Sequence, residues 1–176
     1  YKRQEYEPPY KLRGWVAKDY PEISDDRLTY TFELRDGVYF SDGKSLTAED
    51  VVFSMKVIHN PVVLAPHLRN YYAAVKDVQV QDSNKISFLC DQPYFRNDLI
   101  LGGFNILPRH FYDPEGLMDS VEVANLIDGS WEKSPHKERV ERFGEQFNQN
   151  FNRVALGSGP YLIEDAERDI ITQQKV

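Results

Sequence analysis

Cysteine is almost absent from this chain of 176 residues, which contains only Cys90. A single cysteine excludes an intrachain disulfide and any metal cluster built from cysteines. Cys90 ends the apolar run 86–90, where we expect it to be a small buried hydrophobic residue.

Long apolar runs and an excess of basic residues are also missing. No run is long enough to predict a transmembrane helix. Lys and Arg number 21 against 28 Asp and Glu, for a formal net charge of −7. This balance disfavours nucleic acid and anionic membrane surfaces as partners. Residues 1–5 contain neither Met nor an apolar segment, so no signal peptide is predicted there.

The composition is otherwise that of a globular protein. Hydrophobic residues make up 41% of the chain and aromatic residues 13%, which argues against disorder. The length suits one domain, residues 1–176.

Residues 28–46 have the pattern of two strands. Apolar residues alternate with polar ones from Leu28 to Leu34, as in a strand with one buried face. Asp36-Gly37 predicts a turn. Val38 and Phe40 then resume the alternation before a second turn at residues 41–44.

Residues 47–58 predict a capped helix. Thr47 and Asp50 have the spacing of a capping box, with Asp in the usual place of Glu or Gln. A single apolar stripe follows at helical spacing, formed by Val51, Val52, Met55 and Ile58.

The remaining pattern predicts two hairpins, further helices and terminal strands. We expect a first hairpin between residues 15–23 and the strand at 28, and a second between 75–80 and 85–89. Residues 62–72 are expected to be irregular or a short helix. Helices are predicted at 92–101, near 121–127 and at 135–147, with strands at 161–163 and 170–171. The predicted fold class is α+β, a small mixed or antiparallel sheet with flanking helices.

No residue pattern indicates catalysis, a metal site or a cofactor. The four histidines are dispersed and lack the spacing of metal ligands. The acid pairs Asp25-Asp26 and Glu49-Asp50 are interpreted as turn and helix-start residues. No serine lies in a nucleophile elbow, and residues 157–159 lack the lysine of a phosphate loop.

Two short aromatic stretches are the candidate ligand contacts. Tyr71 and Tyr72 end a connector without periodicity, and Phe104 and Asn105 lie in a second one. Aromatic rings with a polar neighbour suit recognition of a ligand. The alternative is that these side chains seal the domain against another part of the protein.

Residues 28–58, LTYTFELRDGVYFSDGKSLTAEDVVFSMKVI, resemble the signature stretch of the family 5 extracellular solute-binding proteins. These are the dipeptide, oligopeptide and nickel receptors of ABC importers. The second hairpin, the stretch around Ile106-Leu107-Pro108 and the turn at 157–161 resemble family segments too. The resemblance implies that the chain is an excised segment of the first lobe of a longer, type II periplasmic-binding-protein fold. The connectors carrying Tyr71, Tyr72, Phe104 and Asn105 would then run near the cleft between lobes.

The resemblance also implies a function. We expect the substrate-binding component of an ABC importer, without enzymatic activity, that binds a peptide or other small solute. Its partners would be that solute, the membrane permease and the remaining lobe, with no nucleic acid and no cofactor or metal. The location would be periplasmic or extracellular, with a lipoprotein anchor outside this chain as one option. The alternatives are a receptor that feeds a signalling system and a structural subdomain without a ligand of its own.

Overall fold

The computed structural model describes residues 14–150, 156–159, 161–167 and 170–175. Within these ranges the chain forms a four-stranded antiparallel sheet, a separate two-stranded ladder and a set of mostly short helices. The predicted α+β class is confirmed.

The four-stranded sheet joins the two predicted hairpins through their second arms. Its strands are β1 (Glu22–Ile23), β2 (Thr29–Glu33), β3 (Val75–Asp82) and β4 (Lys85–Cys90), in the order β1-β2-β4-β3. Phe32 pairs with Ile86 and Tyr30 with Phe88. These inward residues are buried because a side-chain period of two places them on the same face. The second sheet pairs β5 (Tyr161–Glu167) with β6 (Ile170–Lys175).

The helices follow the predicted order. They are α1 (Ala48–His59), α2 (Pro66–Tyr71), α3 (Asn97–Leu101), α4 (Arg109–Tyr112), α5 (Val123–Asp128) and α6 (Lys137–Asn150), with a 3-10 turn at Ser130–Lys133. Thr47 and Asp50 form the predicted capping box of α1. The Asp50 carboxylate accepts the Thr47 backbone N–H at 2.9 Å.

Helix α1 is buried all round, where the sequence predicted one apolar stripe. All but Glu49 of its 12 residues are buried. Val51, Met55 and their neighbours pack against the sheet. Phe53 and Val57 face a second cluster that α5, α6 and the 3-10 turn complete. The prediction was incomplete because a helix between two layers needs apolar residues on both sides.

Two strand predictions and one helix prediction are corrected in extent. Among the described residues, Val38 and Phe40 belong to no regular strand, and the pairing there is a single bridge between Tyr39 and Ser45. The first arm of the first hairpin, predicted at residues 15–23, consists of β1 and a single bridge between Ala17 and Leu34. The helix predicted at 92–101 begins at Asn97.

Cys90 is buried at the end of β4, as predicted. Burial, with Asp91 beside it, raises the pKa of its thiol to about 11. The thiol therefore stays protonated and serves as a small apolar residue.

Candidate functional site

The four residues predicted to contact ligand lie on two neighbouring connections. Tyr71 is the last residue of α2 and Tyr72 follows it, while Phe104 and Asn105 lie between α3 and α4. Tyr71 is 60% exposed, and Asn105 is exposed as well. Tyr72 and Phe104 are buried, at 5% and 9%.

Ring contacts connect three of these residues into one row. The ring centroids of Tyr71 and Tyr72 lie 5.0 Å apart, and those of Tyr72 and Phe104 lie 6.1 Å apart. Phe104 in turn contacts Phe88 of β4, at 5.9 Å. All three pairs are edge-to-face, the arrangement that aromatic quadrupoles prefer. The row leads from the surface at Tyr71 to the core of the sheet.

A cavity of about 370 Å³, which we call the Tyr72 cavity, opens beside this row. Tyr72, Phe104 and Asn105 line it together with apolar side chains of α1, α2 and α6. The remaining lining is mainly Val57, Ile58, Val63, Leu68, Leu107 and Phe147. The Asn105 amide offers a donor and an acceptor at a mainly apolar wall.

A second concavity of about 250 Å³ lies on the α3 side of the tyrosine pair. Tyr71 and Tyr72 line it with Tyr94 and the amide side chains of Asn70 and Asn97. Tyr72 is therefore a wall shared by both concavities. Burial, with Tyr71 beside it, raises the pKa of Tyr72 to about 12. Its phenol is neutral at physiological pH and can serve as a hydrogen-bond donor.

Short local motifs hold α2 in place below Tyr71. Pro66 occupies the first turn of α2, where its missing N–H costs nothing. The Arg69 guanidinium donates to the carbonyl oxygens of Asn60 at 2.9 Å and Val63 at 2.8 Å. These bonds fasten α2 to the end of α1, which is one of the most buried parts of the chain.

The connection that carries Phe104 and Asn105 is fastened to α1 as well. The Leu107 N–H donates to the Ser54 hydroxyl at 2.8 Å, and the Arg109 N–H donates to Asp50 at 2.9 Å. The Ser54 hydroxyl donates in turn to the Asp50 carbonyl oxygen at 2.6 Å. Both candidate connections thus rest on the same helix.

The sequence interpretation missed a group of exposed apolar residues on and just before α2. Leu64, Leu68 and Tyr71 are 75%, 37% and 60% exposed. Leu68 and Tyr71 are three residues apart on one side of α2, and Leu64 lies just before the helix begins. Residues 62–72 were expected to be irregular or a short helix, and the short helix is confirmed, but the exposure of these apolar residues was not predicted.

The composition of the site suits the binding of a ligand. Its lining consists mainly of aromatic rings, aliphatic side chains and carboxamides, together with the Ser54 hydroxyl and the Cys90 thiol. Among the described residues no three His, Cys, Asp or Glu side chains converge as metal ligands. None of the described helices is both long and apolar enough to cross a membrane. An apolar cavity with a few polar groups, set beside a small sheet, is typical of a ligand-binding domain.

Comparison with known proteins gives the family. Residues 11–174 match the family described as "Bacterial extracellular solute-binding proteins, family 5 Middle". Because the match covers nearly the whole sequence, the chain belongs to this family of binding proteins. The resemblance found in the sequence is confirmed.

Two curated relatives are similar over about half of this chain. "Probable peptide-binding protein YejA" of Agrobacterium fabrum is 36% identical over 93 residues, which cover 52% of this chain and 15% of that protein. "Glutathione-binding protein GsiB" of Escherichia coli (strain K12) is 31% identical over 86 residues, 48% of this chain and 16% of that protein.

Solved structures show the same fold over the whole chain. The ABC transporter substrate-binding protein CtaP of Listeria monocytogenes is 26% identical, with a TM-score of 0.65. The oligopeptide-binding protein AppA of Bacillus subtilis, in complex with a nonapeptide, is 22% identical, with a TM-score of 0.62. Each match covers 100% of this chain and 30% of the other. The chain thus spans less than a third of the relatives it matches, and the type II binding-protein fold is confirmed.

Proposed function

We propose that this chain is part of the first lobe of a solute receptor that serves an ABC importer. The receptor binds a peptide or a similar small solute and delivers it, chemically unchanged, to the permease in the membrane. Residues 1–176 form a single domain within that lobe, and the remaining lobe of the same protein closes over the solute. Hinge closure of this kind is a standard way for two-lobed receptors to retain a ligand.

The observation that carries the proposal is the Tyr72 cavity with Tyr71 beside it. Its lining is apolar and aromatic, as is usual for small-molecule sites. Asn105 is exposed where it lines this cavity, and Tyr71 is exposed next to Tyr72; together they offer an amide, a ring and a hydroxyl to a solute. Tyr72 and Phe104 are buried, so we assign them to the wall that supports the site.

Membership of an extracellular binding-protein family supports the location and the absence of catalysis. We place the receptor in the periplasm or outside the cell, where a lipoprotein anchor is one way to hold it at the membrane. No described side chains at the site combine a nucleophile with a base, so release of unchanged solute is the expected outcome.

The test is calorimetric titration of the intact protein with a panel of peptides and peptide-like solutes. We expect saturable binding at one site per chain. Tyr71→Ala and Asn105→Ala should each weaken the binding by about tenfold, the usual effect of removing one good contact at a binding site.

Tyr39→Ala is the matched control. Tyr39 is 54% exposed, comparable with Tyr71, and lies at the turn before residue 41 instead of at either concavity. It should leave the affinity unchanged. Equal affinities for the Tyr71, Asn105 and Tyr39 variants would show that the solute does not contact this face.

A further inference from the structure

The Tyr72 cavity has no charged side chain among the described residues that line it. Charged residues make up 28% of the chain, but these lining residues are aliphatic, aromatic or polar and uncharged. The titratable side chain among them is Tyr72, and because burial raises its pKa to about 12 its phenol is neutral at physiological pH. The described lining therefore offers no ionised group to a ligand.

A basic side chain next to the cavity is already bound to the backbone. Arg69 follows Leu68 in α2 but does not line the cavity. Its guanidinium donates to the carbonyl oxygens of Asn60 at 2.9 Å and Val63 at 2.8 Å. An acidic group inside the cavity would thus lack an ionic partner among the described lining residues.

Hydrogen bonds within the protein also occupy the Ser54 hydroxyl, which lines the cavity. It donates to the Asp50 carbonyl oxygen at 2.6 Å and accepts the Leu107 N–H at 2.8 Å. The polar side chains left for a ligand at the described lining are the Asn105 carboxamide and the Tyr72 phenol.

The cavity has a buried apolar floor and an exposed rim. Val57, Ile58 and Val63 line it and are at most 7% exposed. At the rim Leu68 is 37% exposed, and Asn105 is exposed as well. A group that passes Leu68 and Asn105 to reach the floor leaves water, while the part of the solute that carries it stays at the surface.

The volume of the cavity suits a large side chain. It is about 370 Å³, whereas an apolar cavity of about 150 Å³ is large enough to hold benzene. A leucine or phenylalanine side chain therefore fits, and the methyl group of alanine would leave most of the lining uncovered.

We propose that the Tyr72 cavity receives a large apolar side chain of a peptide solute, such as leucine or phenylalanine, and discriminates against a charged one. The proposal rests on the receptor function proposed above and adds which peptides the receptor prefers. The peptide group next to the inserted side chain lies at the rim. There the Asn105 carboxamide can donate to its carbonyl oxygen and accept from its N–H.

The preference follows from the cost of removing each side chain from water. A large apolar side chain gains free energy when its surface leaves water. A carboxylate or an ammonium group would lose its hydration without gaining an ionic partner, which is unfavourable. The discrimination therefore needs no repulsive charge in the cavity.

The test is calorimetric titration of the intact protein with pentapeptides based on pentaalanine. A single leucine or a single aspartate replaces alanine at each of the five positions in turn. Leucine and aspartate both branch at Cγ, so the two series differ mainly in charge. We expect the best leucine peptide to bind at least about tenfold more tightly than pentaalanine, the usual effect of adding methylene groups in an apolar pocket. Aspartate at the same position should bind no more tightly than alanine.

A variant locates the effect in the cavity. Leu68→Asp places a carboxylate at the rim and should bring the affinities of the best leucine peptide and pentaalanine close to equal. Leu64→Asp is the matched control, because Leu64 is 75% exposed and does not line the cavity. It should keep the preference for leucine. The readout is a ratio of two affinities, so a general weakening of a variant does not imitate the result.

The outcomes separate this proposal from the receptor function. Equal affinities for the leucine, aspartate and alanine peptides would overturn the side-chain preference and leave the receptor function standing. A cavity filled by another part of the same protein would give that result. A preference for leucine that survives Leu68→Asp would place the side chain elsewhere and also overturn the proposal. If none of the peptides bound, the receptor function for peptides would fail together with the preference.

Discussion

The side chain of Asp50 is hydrogen-bonded to the backbone of Arg109: one oxygen of the Asp50 carboxylate accepts the Arg109 N–H at 2.9 Å. The other oxygen accepts the Thr47 N–H and hydroxyl at 2.9 and 3.0 Å. One buried side chain thus caps α1 and fixes the start of α4. The connection that carries Phe104 and Asn105 ends at this point.

We predict that Asp50→Ala destabilises the protein by about 2–3 kcal/mol. The substitution removes a helix cap and leaves the Arg109 N–H without its buried acceptor. Urea unfolding of the variant and the parent protein measures the difference. Asp25→Ala is the matched control, because Asp25 is exposed and should change the stability by less than about 0.5 kcal/mol. Equal midpoints for both variants would contradict the role of Asp50.

His59 should make the protein sensitive to mild acid. It is 7% exposed, and its Nε2 atom has no hydrogen-bond partner among the described residues. Burial, with Arg69 and Lys76 nearby, lowers the pKa of His59 to about 4. The folded pKa lies below the unfolded value of 6.5, so the neutral ring favours the fold.

The contribution of the neutral His59 ring to the free energy of unfolding is therefore complete above about pH 6.5, and it is lost as the pH falls towards 4. Across that window we expect a loss of roughly 2–3 kcal/mol in the free energy of unfolding. His59→Leu should remove this part of the pH dependence, as thermal melts at several pH values can show. His67 is exposed and provides the control variant His67→Gln. An unchanged pH profile in His59→Leu would contradict the prediction.

Gly144 lies where α6 touches the connector after α1. A Cβ atom at this position would meet the Val62 Cβ atom at 2.5 Å and the Asn60 Oδ1 atom at 3.1 Å. Asn60 is fully buried and donates to the Val140 carbonyl oxygen at 3.0 Å, so it has little freedom to move.

We therefore predict that Gly144→Ala destabilises the protein by about 1–3 kcal/mol, although alanine favours helices. Chemical denaturation measures the change. Glu145→Ala, one residue further on the exposed side of α6, is the control and should be nearly neutral. A stabilised Gly144→Ala variant would show that helix propensity outweighs the steric contact.

The sequence predicted most elements because their signals are local. The cap at Thr47, the alternation in β2 and the charged helix α6 each depend on residues a few positions apart. The pairing of β2 with β4 was not predicted in detail, since it joins residues more than 50 positions apart.

Failures of the sequence interpretation have physical causes. Val38 and Phe40 alternate as in a strand, but two close turns leave no partner strand of useful length. The second face of α1 was missed because Phe53 and Val57 gain their neighbours only from the later helices α5 and α6.

The candidate site was predicted only in part. The aromatic pair at residues 71–72 was noticed because adjacent rings in a connector are hard to bury together. The structure brings Tyr72 and Phe104 together in one cavity wall, and contact with a solute stays a prediction for all four residues.

The central claim is that the protein containing this chain binds a small solute and releases it unaltered. The most direct measurement is mass spectrometry of the solute that the intact protein retains, before and after prolonged incubation at working temperature. We predict one solute of constant mass per chain, recovered intact in full yield. A solute converted to a product of different mass, at more than one turnover per chain, would contradict the account.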